Sequence, residues 1–152
     1  MLFRSYYSFK KEPWIMESKS GDISTKKITH KSKINEAYKD LEGKLIGKAQ
    51  NNPWQNAYNH AKVVGSSKNI LNKIKELKGD YLKGVYYSIE NFNIIPCSSI
   101  FTGKASEHAF KTDVVKEIKS ILPGFNYKKI KAICVSNVTK ENFIKYVHDW
   151  ED

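Results

Sequence analysis

The chain begins with short apolar and aromatic segments of strand length and continues with longer segments whose apolar residues recur every three or four positions. Residues 2–9 are rich in aromatics and predict a strand, and residues 14–19 predict a second one. A turn at 10–13 separates the two, and Ser20, Gly21 and Asp22 are expected to end the second. The stretch that follows is less regular: it favours a short strand at 23–29 and one or two helical turns at 34–41.

Helix signals are stronger in the middle of the chain. Asn52 is a good N-cap and Pro53 suits a first helical turn. The apolar residues after them keep helical spacing: Trp54, Ala57, Tyr58, Ala61 and Val64. A second amphipathic segment, with Ser66 as its expected cap, carries Ile70, Leu71, Ile74 and Leu77. The remaining pattern predicts strands at 81–89, 94–97 and 129–136, a helix over 106–122 and a last helix from Thr139.

The predicted order is therefore two or three strands, two helices, two strands, a helix, a strand and a helix. Helices interspersed with strands are typical of an α/β fold with a mixed β-sheet flanked by helices. The 152 residues show no internal repeat and no low-complexity linker, which favours a single domain.

Composition narrows the function classes. No apolar run approaches the ~20 residues of a membrane span, and the N-terminus lacks the apolar core of a secretory signal. Cys97 and Cys134 form no CxxC pair, so free thiols in a reducing, cytoplasmic setting are expected rather than a zinc site. The net charge of +10 favours a nucleic-acid partner. It is equally the charge that a lysine-rich composition from an AT-rich genome would produce.

Glu17 and Lys19 are the first candidates for chemistry. Alternation along a strand puts both side chains on one face, about 6–7 Å apart. They follow an apolar run typical of a buried central strand, and ligands bind at the carboxyl ends of such strands. Glu17, with the Ser18 backbone carbonyl, could hold Mg²⁺ or Mn²⁺, while the Lys19 ammonium orients water or offsets negative charge. An ordinary ion pair at a strand end is the alternative.

Two motifs resemble a known family. Residues 15–21 read IMESKSG, and Asn52, Pro53, Trp54 and Gln55 follow at the opening of a helix. This pattern resembles the nuclease-related domain (NERD) of the PD-(D/E)xK nuclease superfamily, well over residues 2–90 and in outline beyond. The resemblance implies a restriction-endonuclease-like fold over residues 1–152 and metal-dependent hydrolysis of DNA, with Glu17 as metal ligand and Lys19 positioning water and phosphate.

The resemblance also implies roles for residues around the predicted helix. Gln55 and Tyr58 share a helix face, and a glutamine there supports the metal-site carboxylates or contacts DNA in related nucleases. The alternatives are that Gln55 caps the helix and that Tyr58 and His60 belong to the core. Contacts with nucleic acid are expected from Lys26, Lys27, Tyr58 and His60.

The pattern departs from the superfamily at one position. An acidic residue normally ends the strand before the Glu-x-Lys strand, but residues 1–11 contain no Asp or Glu, and the family's N-terminal helix is also missing. Glu12 could substitute if the 10–13 turn bends it inward, whereas Asp22 and Asp40 are expected in solvated loops. The chain is then either a truncated nuclease or a degenerate relative that binds nucleic acid without cutting it. A protein-interaction domain is a third possibility, and the oligomeric state stays open.

Overall fold

The structure is a computed structural model that describes residues 5–9, 12–22, 28–101 and 113–137. Its strands are β1 (Ser5–Phe9), β2 (Glu12–Asp22), β3 (Asn93–Phe101), β4 (Lys129–Ile130) and β5 (Ile133–Asn137). Its helices are α1 (His30–Leu45), α2 (Pro53–Val63), α3 (Lys68–Leu82) and α4 (Asp113–Ile121), with short 3₁₀ turns at Ile89–Asn91 and Leu122–Gly124.

The strands form one mixed sheet. β2 lies between β1, to which it is antiparallel, and β3, to which it is parallel from Trp14 to Asp22. β4 and β5 follow one another along the other edge of β3, both parallel to it. In the described part of the chain the sheet is therefore four strands wide and mostly parallel, which confirms a mixed α/β class.

One face of the sheet carries the main core. Ile15 of β2 and Ile94 of β3 are buried there against α1, α2 and α3, together with Tyr38, Leu41, Leu45, Trp54, Ala57, Ala61, Ile74 and Leu77. Alternation places Trp14 and Met16 on the opposite face, where they pack with Ile95 and Cys97. Because Glu17 and Lys19 follow Ile15 in steps of two, they face the helices.

Helix α1 is longer than the sequence pattern predicted. One or two turns at 34–41 were expected, but the helix runs from His30 to Leu45. Thr29 caps it with a reciprocal pair of bonds to Ser32, and a stripe of five residues is buried along it: Ile34, Ala37, Tyr38, Leu41 and Leu45. The lysine and glutamate residues between these positions have good helix propensity and form the polar side of the helix.

His30 ties the start of α1 to the sheet. Its Nδ1 is 2.8 Å from Ser98 Oγ of β3, and its Nε2 is 2.9 Å from Ser136 Oγ of β5. Both ring nitrogens of this buried histidine are therefore hydrogen-bonded. Burial lowers the pKa of His30, with the negative charge of Glu117 acting in the opposite direction. The ring consequently favours its neutral form in the folded protein.

The start of α2 confirms the sequence signals. Asn52 Oδ1 accepts a hydrogen bond from the Trp54 backbone N–H at 3.0 Å, and Pro53 is the first helical residue. The Asn52 side chain also donates to the Lys78 carbonyl of α3 at 3.0 Å. The next helix begins at Lys68 after Ser67, so the predicted cap at Ser66 was one residue early.

Several predicted boundaries were wrong. β2 begins at Glu12 and continues through Ser20 and Gly21 to Asp22, because each residue from Trp14 onward is paired with β3. The predicted strand at 81–89 is not formed, since α3 extends to Leu82 and the chain then turns at Gly84, whose φ is 74°. The predicted short strand at 94–97 is instead the nine-residue β3, buried along most of its length.

Other predictions are met in part or lie outside the described residues. The strand at 129–136 is divided into β4 and β5, and the helix at 106–122 is described from Asp113. Residues 23–27, which hold most of the expected third strand, and the last helix from Thr139 fall outside the described ranges. Cys97 and Cys134 are both free thiols. Among the helices described, none has the length and apolar character to cross a membrane.

Candidate active site

Glu17 lies between the sheet and α1 with no exposure to solvent. Its Oε2 accepts a hydrogen bond from Lys44 Nζ of α1 at 2.6 Å. Its Oε1 is buried without a hydrogen-bond partner, and the Lys19 ammonium lies 3.9 Å away from it. A fully buried carboxylate with one unsatisfied oxygen is costly, which marks Glu17 as a candidate functional group rather than an ordinary core residue.

Lys19 is directed to the same helix. Its ammonium is ion-paired with Asp40 and lies 3.9 Å from Glu36 Oε1. Lys44 Nζ is also 3.8 Å from Asp40 Oδ2. Glu17, Lys19, Asp40 and Lys44 thus form a ring of alternating charges, here called the four-charge cluster.

The helix spacing explains how α1 contributes to this cluster. Glu36, Asp40 and Lys44 succeed each other in steps of four, so they lie along one side of the helix. The buried stripe of α1 fixes the rotation of the helix on the sheet, and this side then faces the end of β2 that carries Glu17 and Lys19. The lysine side chains are mostly enclosed, each 11% exposed, whereas Asp40 is 41% exposed. The cluster therefore opens to solvent on the Asp40 side.

Burial dominates the electrostatics of Glu17. Desolvation raises the pKa of its carboxyl and is the largest cause. The hydrogen bond and charge of Lys44 and the charge of Lys19 lower this pKa, and the charge of Asp40 raises it. The two ammonium groups therefore do not fully compensate the buried negative charge. Such a carboxylate gains from an additional cation at its unpaired oxygen.

The carboxylate oxygens near Lys19 can be compared with the ligands that Mg²⁺, the metal implied by the sequence pattern, uses in proteins. Mg²⁺ keeps several waters and uses one or two carboxylates of the protein. The unpaired Oε1 of Glu17 and the half-exposed carboxylate of Asp40, both in contact with Lys19, match such a donor set. Over the described ranges, no group of three or more His, Cys, Asp or Glu side chains is arranged to hold a metal ion. The described residues therefore offer at most two carboxylates, those of Glu17 and Asp40, to a hydrated ion, and they do not form a cage made entirely of protein ligands.

Two further metal-site predictions concern β2. Ser18 pairs with Cys97 in the β2–β3 ladder, and coordination by its carbonyl remains a prediction. Glu12 pairs with Phe9 in the antiparallel β1–β2 ladder, and its contribution to a metal site remains a prediction. Glu12 is five residues before Glu17, about 16 Å along an extended strand. Asp22 ends β2 opposite Phe101, and the loop position expected for it was wrong.

The side-chain contacts of Gln55 and Tyr58 lie on α2, on α3 and in the main core. Gln55 donates from its side chain to Asn59 Oδ1 at 2.8 Å, one turn further along the helix. Tyr58 is partly buried against the main core, and Lys78 Nζ lies 5.5 Å from the centre of its ring. His60 has a buried Nδ1 without a hydrogen-bond partner. A role for these residues in nucleic-acid contact stays a prediction.

Lys26 and Lys27 lie outside the described residues. Sequence reasoning missed Lys44 and assigned Asp40 to a solvated loop, yet both lie on α1. The spacing of Glu36, Asp40 and Lys44 at four-residue steps, beside the apolar stripe from Ile34 to Leu45, was the signal that could have placed them on one helix.

Compared with protein-family models, with known proteins and with solved structures, the chain has no significant match. The functional argument consequently depends on the residues of the four-charge cluster and on their surroundings.

Proposed function

We propose that this chain is a metal-dependent nuclease of the PD-(D/E)xK type that hydrolyses phosphodiester bonds in DNA. The observation that carries the proposal is the buried Glu17, whose Oε1 lacks a hydrogen-bond partner and lies beside the Lys19 ammonium on the same strand face. A carboxylate and an ammonium in a Glu-x-Lys spacing are two of the groups that this chemistry uses. The overall charge of +10 supports a polyanionic substrate.

The arrangement of the strands supports a restriction-endonuclease-like fold. An antiparallel pair, β1 and β2, leads through α1 and two further helices into β3, which is parallel to β2. In this proposal β2 is the strand that carries the Glu-x-Lys motif. Asp40 of α1 takes the place of the acidic residue that is missing from residues 1–11.

Each member of the four-charge cluster has a role in the proposal. Glu17 and Asp40 would hold the ion, and Lys44 fixes one oxygen of Glu17 by its 2.6 Å hydrogen bond so that the other stays available. A bound Mg²⁺ or Mn²⁺ would offset charge on the phosphoryl oxygens and lower the pKa of a coordinated water. Lys19, oriented by Asp40, is placed to donate a hydrogen bond to a phosphate oxygen as negative charge develops.

A second candidate function is favoured by the charge balance of the cluster. Two ammonium groups already face two carboxylates, and within the described residues no three His, Cys, Asp or Glu side chains are arranged to hold a metal ion. A chain of this kind could bind nucleic acid through its lysines without cutting it. The two candidates differ in whether cleavage depends on metal and on Lys19.

A plasmid-relaxation assay with Mg²⁺ or Mn²⁺ tests the nuclease. The native chain is compared with Lys19→Ala and Asp40→Asn, and with Lys73→Ala as a matched control, because Lys73 is in an ion pair on α3 and more than half exposed. Loss of a charge-stabilising donor should lower the cleavage rate by about 100-fold or more. The control should cleave at the native rate.

Folding of each variant is checked by circular dichroism before the rates are compared. Metal-dependent cleavage that survives Lys19→Ala would overturn the assignment of the site. If the native chain binds DNA and cuts none with either metal, the non-catalytic binding module replaces the nuclease.

A further inference from the structure

An open cavity of about 350 Å³ adjoins the four-charge cluster. The two share Asp40 and Lys44, which line the cavity from α1. Lys39 and Lys48 add two more ammonium groups to its wall, and Asn51 and Pro53 belong to the segment where α2 begins. The cavity therefore lies between the carboxyl-terminal half of α1 and the amino-terminal end of α2.

The loop that closes this cavity is held in place. After α1 the chain turns at Gly47, whose φ of 84° favours glycine, and a Cβ there would overlap the ring of Tyr86. The Lys48 backbone N–H then donates to the Gly43 carbonyl at 2.9 Å. These contacts fix the backbone of Lys48 against α1, so its exposed side chain begins from a defined position at the cavity wall.

The charge of the cavity selects for an anion. Lys39, Lys44 and Lys48 line it together with the carboxylate of Asp40. Lys44 is already bonded to Glu17, so Lys39 and Lys48 supply the positive charge that an incoming anion would meet. The first turn of α2 contains no acidic residue, so its N–H groups and helix dipole add further positive potential. A volume of this size is sufficient for a small polar group such as a phosphate with its sugar.

We propose that this cavity binds a phosphate of a nucleic-acid strand, next to the phosphate that lies at the four-charge cluster. The inference rests on the proposed function, because it takes the cluster as the place where a phosphodiester bond is cut. The shared Asp40 and Lys44 make the cavity and the cluster neighbours along the path of one strand. Since ammonium and helix N–H groups contact backbone phosphates, the cavity adds affinity and register without base preference.

Binding is measured separately from cleavage by fluorescence anisotropy in EDTA. The probe is a labelled single-stranded DNA of about 12 nucleotides, within the range of known single-strand site sizes. The variants are Lys39→Gln and Lys48→Gln, both at exposed positions. The matched control is Lys62→Gln, an exposed lysine in the last turn of α2, nine residues and about 13 Å along the helix from Pro53.

Each cavity variant is expected to weaken binding roughly fivefold at low salt and to reduce the dependence of log affinity on log salt by about 0.7. The Lys62→Gln chain should bind like the native one. Equal losses for all three variants would show diffuse attraction by a basic surface and overturn the proposal. So would native-like binding by both cavity variants, or no binding by the native chain.

Two further measurements identify the source of the phosphate and test this proposal separately from the nuclease proposal. If inorganic phosphate displaces the probe from the native chain where chloride of the same ionic strength does not, the cavity takes free phosphate, and the strand assignment is wrong. Binding is measured in EDTA, which suppresses metal-dependent cleavage, so the result does not depend on the plasmid assay. A native chain that cuts no plasmid can still lose binding when the cavity is altered, and the two proposals are then tested separately. If the native chain cleaves plasmid but the cavity variants bind the probe normally, the proposal for the cavity is wrong and the nuclease proposal is unaffected.

Discussion

Replacement of Lys44 by methionine removes the closest partner of a fully buried carboxylate. Glu17 is 0% exposed and its Oε2 is 2.6 Å from Lys44 Nζ, while the other ammonium, that of Lys19, is 3.9 Å from Oε1. Methionine has a similar length and keeps the apolar stem against the helix and sheet. The substitution therefore tests the charge and the hydrogen bond of Lys44 with little change in packing.

The expected cost follows from the burial of the pair. Removing one partner of a buried ion pair typically costs about 3–5 kcal/mol, since the remaining charge is left uncompensated. Lys19 remains near Glu17, so a loss of about 3 kcal/mol in the free energy of unfolding is expected for Lys44→Met. With Glu17→Gln in the background no buried negative charge is left at this position, and the same change should then cost about 1 kcal/mol.

The assay is urea unfolding of the native chain, both single variants and the double variant, followed by tryptophan fluorescence in EDTA. The four free energies form a double-mutant cycle, with an expected coupling of about 2 kcal/mol between positions 17 and 44. Lys73→Met is the matched control. Its partner Glu76 and Lys73 itself are both more than half exposed, so the loss should stay below about 1 kcal/mol.

The reasoning would be refuted if Lys44→Met cost the same with glutamate and with glutamine at position 17. Additive effects would mean that the methionine disturbs packing and that the charge of Glu17 is compensated elsewhere. An equally large effect of Lys73→Met would show that the measurement reports general charge removal and not burial.

Three further outcomes are expected. Gly47→Ala should lower the free energy of unfolding by about 2 kcal/mol or more, seen as a lower urea midpoint, because the position has φ 84° and the new Cβ would meet the ring of Tyr86. Burial lowers the pKa of His30, so the unfolded chain takes up a proton that the folded one excludes. The stabilising effect of neutral His30 is then present above the unfolded pKa of about 6.5 and is lost as pH falls towards the lower folded value. His30→Gln should reduce this dependence of the free energy of unfolding on pH, as measured by urea unfolding at several pH values. Burial raises the pKa of Cys97 to about 11, so its alkylation at pH 8, followed by mass spectrometry, should be about 100-fold slower than in the unfolded chain.

Each of these has a contrary result. An unchanged urea midpoint for Gly47→Ala would show that the loop after α1 can move away from Tyr86. Identical pH dependence in the native and His30→Gln chains would mean that the histidine titrates alike in both states. Rapid alkylation of Cys97 at native conditions would place its thiol in contact with solvent.

The candidate site divides between what could be predicted from the sequence and what could not. Alternation in an extended strand is a local property, so Glu17 and Lys19 were correctly expected on one face. Asp40 and Lys44 were not foreseen as their partners, because these residues are 21 and 27 positions away from the groups that they contact. The apolar stripe of α1 indicates which side of the helix is buried, but no local pattern shows which strand that side covers.

The segment at 81–89 shows the same limit for the fold. Tyr81, Val85, Tyr86 and Tyr87 have high strand propensity, and a strand was predicted from them. Strand propensity describes how well a side chain fits a sheet surface, and it takes effect only where a strand edge is available. In the structure this segment joins no ladder of the described sheet: Tyr81 belongs to the last turn of α3, and the others lie in the loop that follows.

The sequence by itself determined the properties that depend on neighbours within one turn or one strand: the face shared by Glu17 and Lys19, the cap of α2 at Asn52, and the basic charge of the chain. The central position of β2 was expected from its apolar run, but the cover that α1 provides and the contribution of Asp40 and Lys44 to the four-charge cluster were visible only in the folded chain. The physical reason is the range of the interactions. Backbone geometry acts over a few residues, whereas burial of the apolar stripes of α1, α2 and α3 against one sheet face brings together residues from distant parts of the chain.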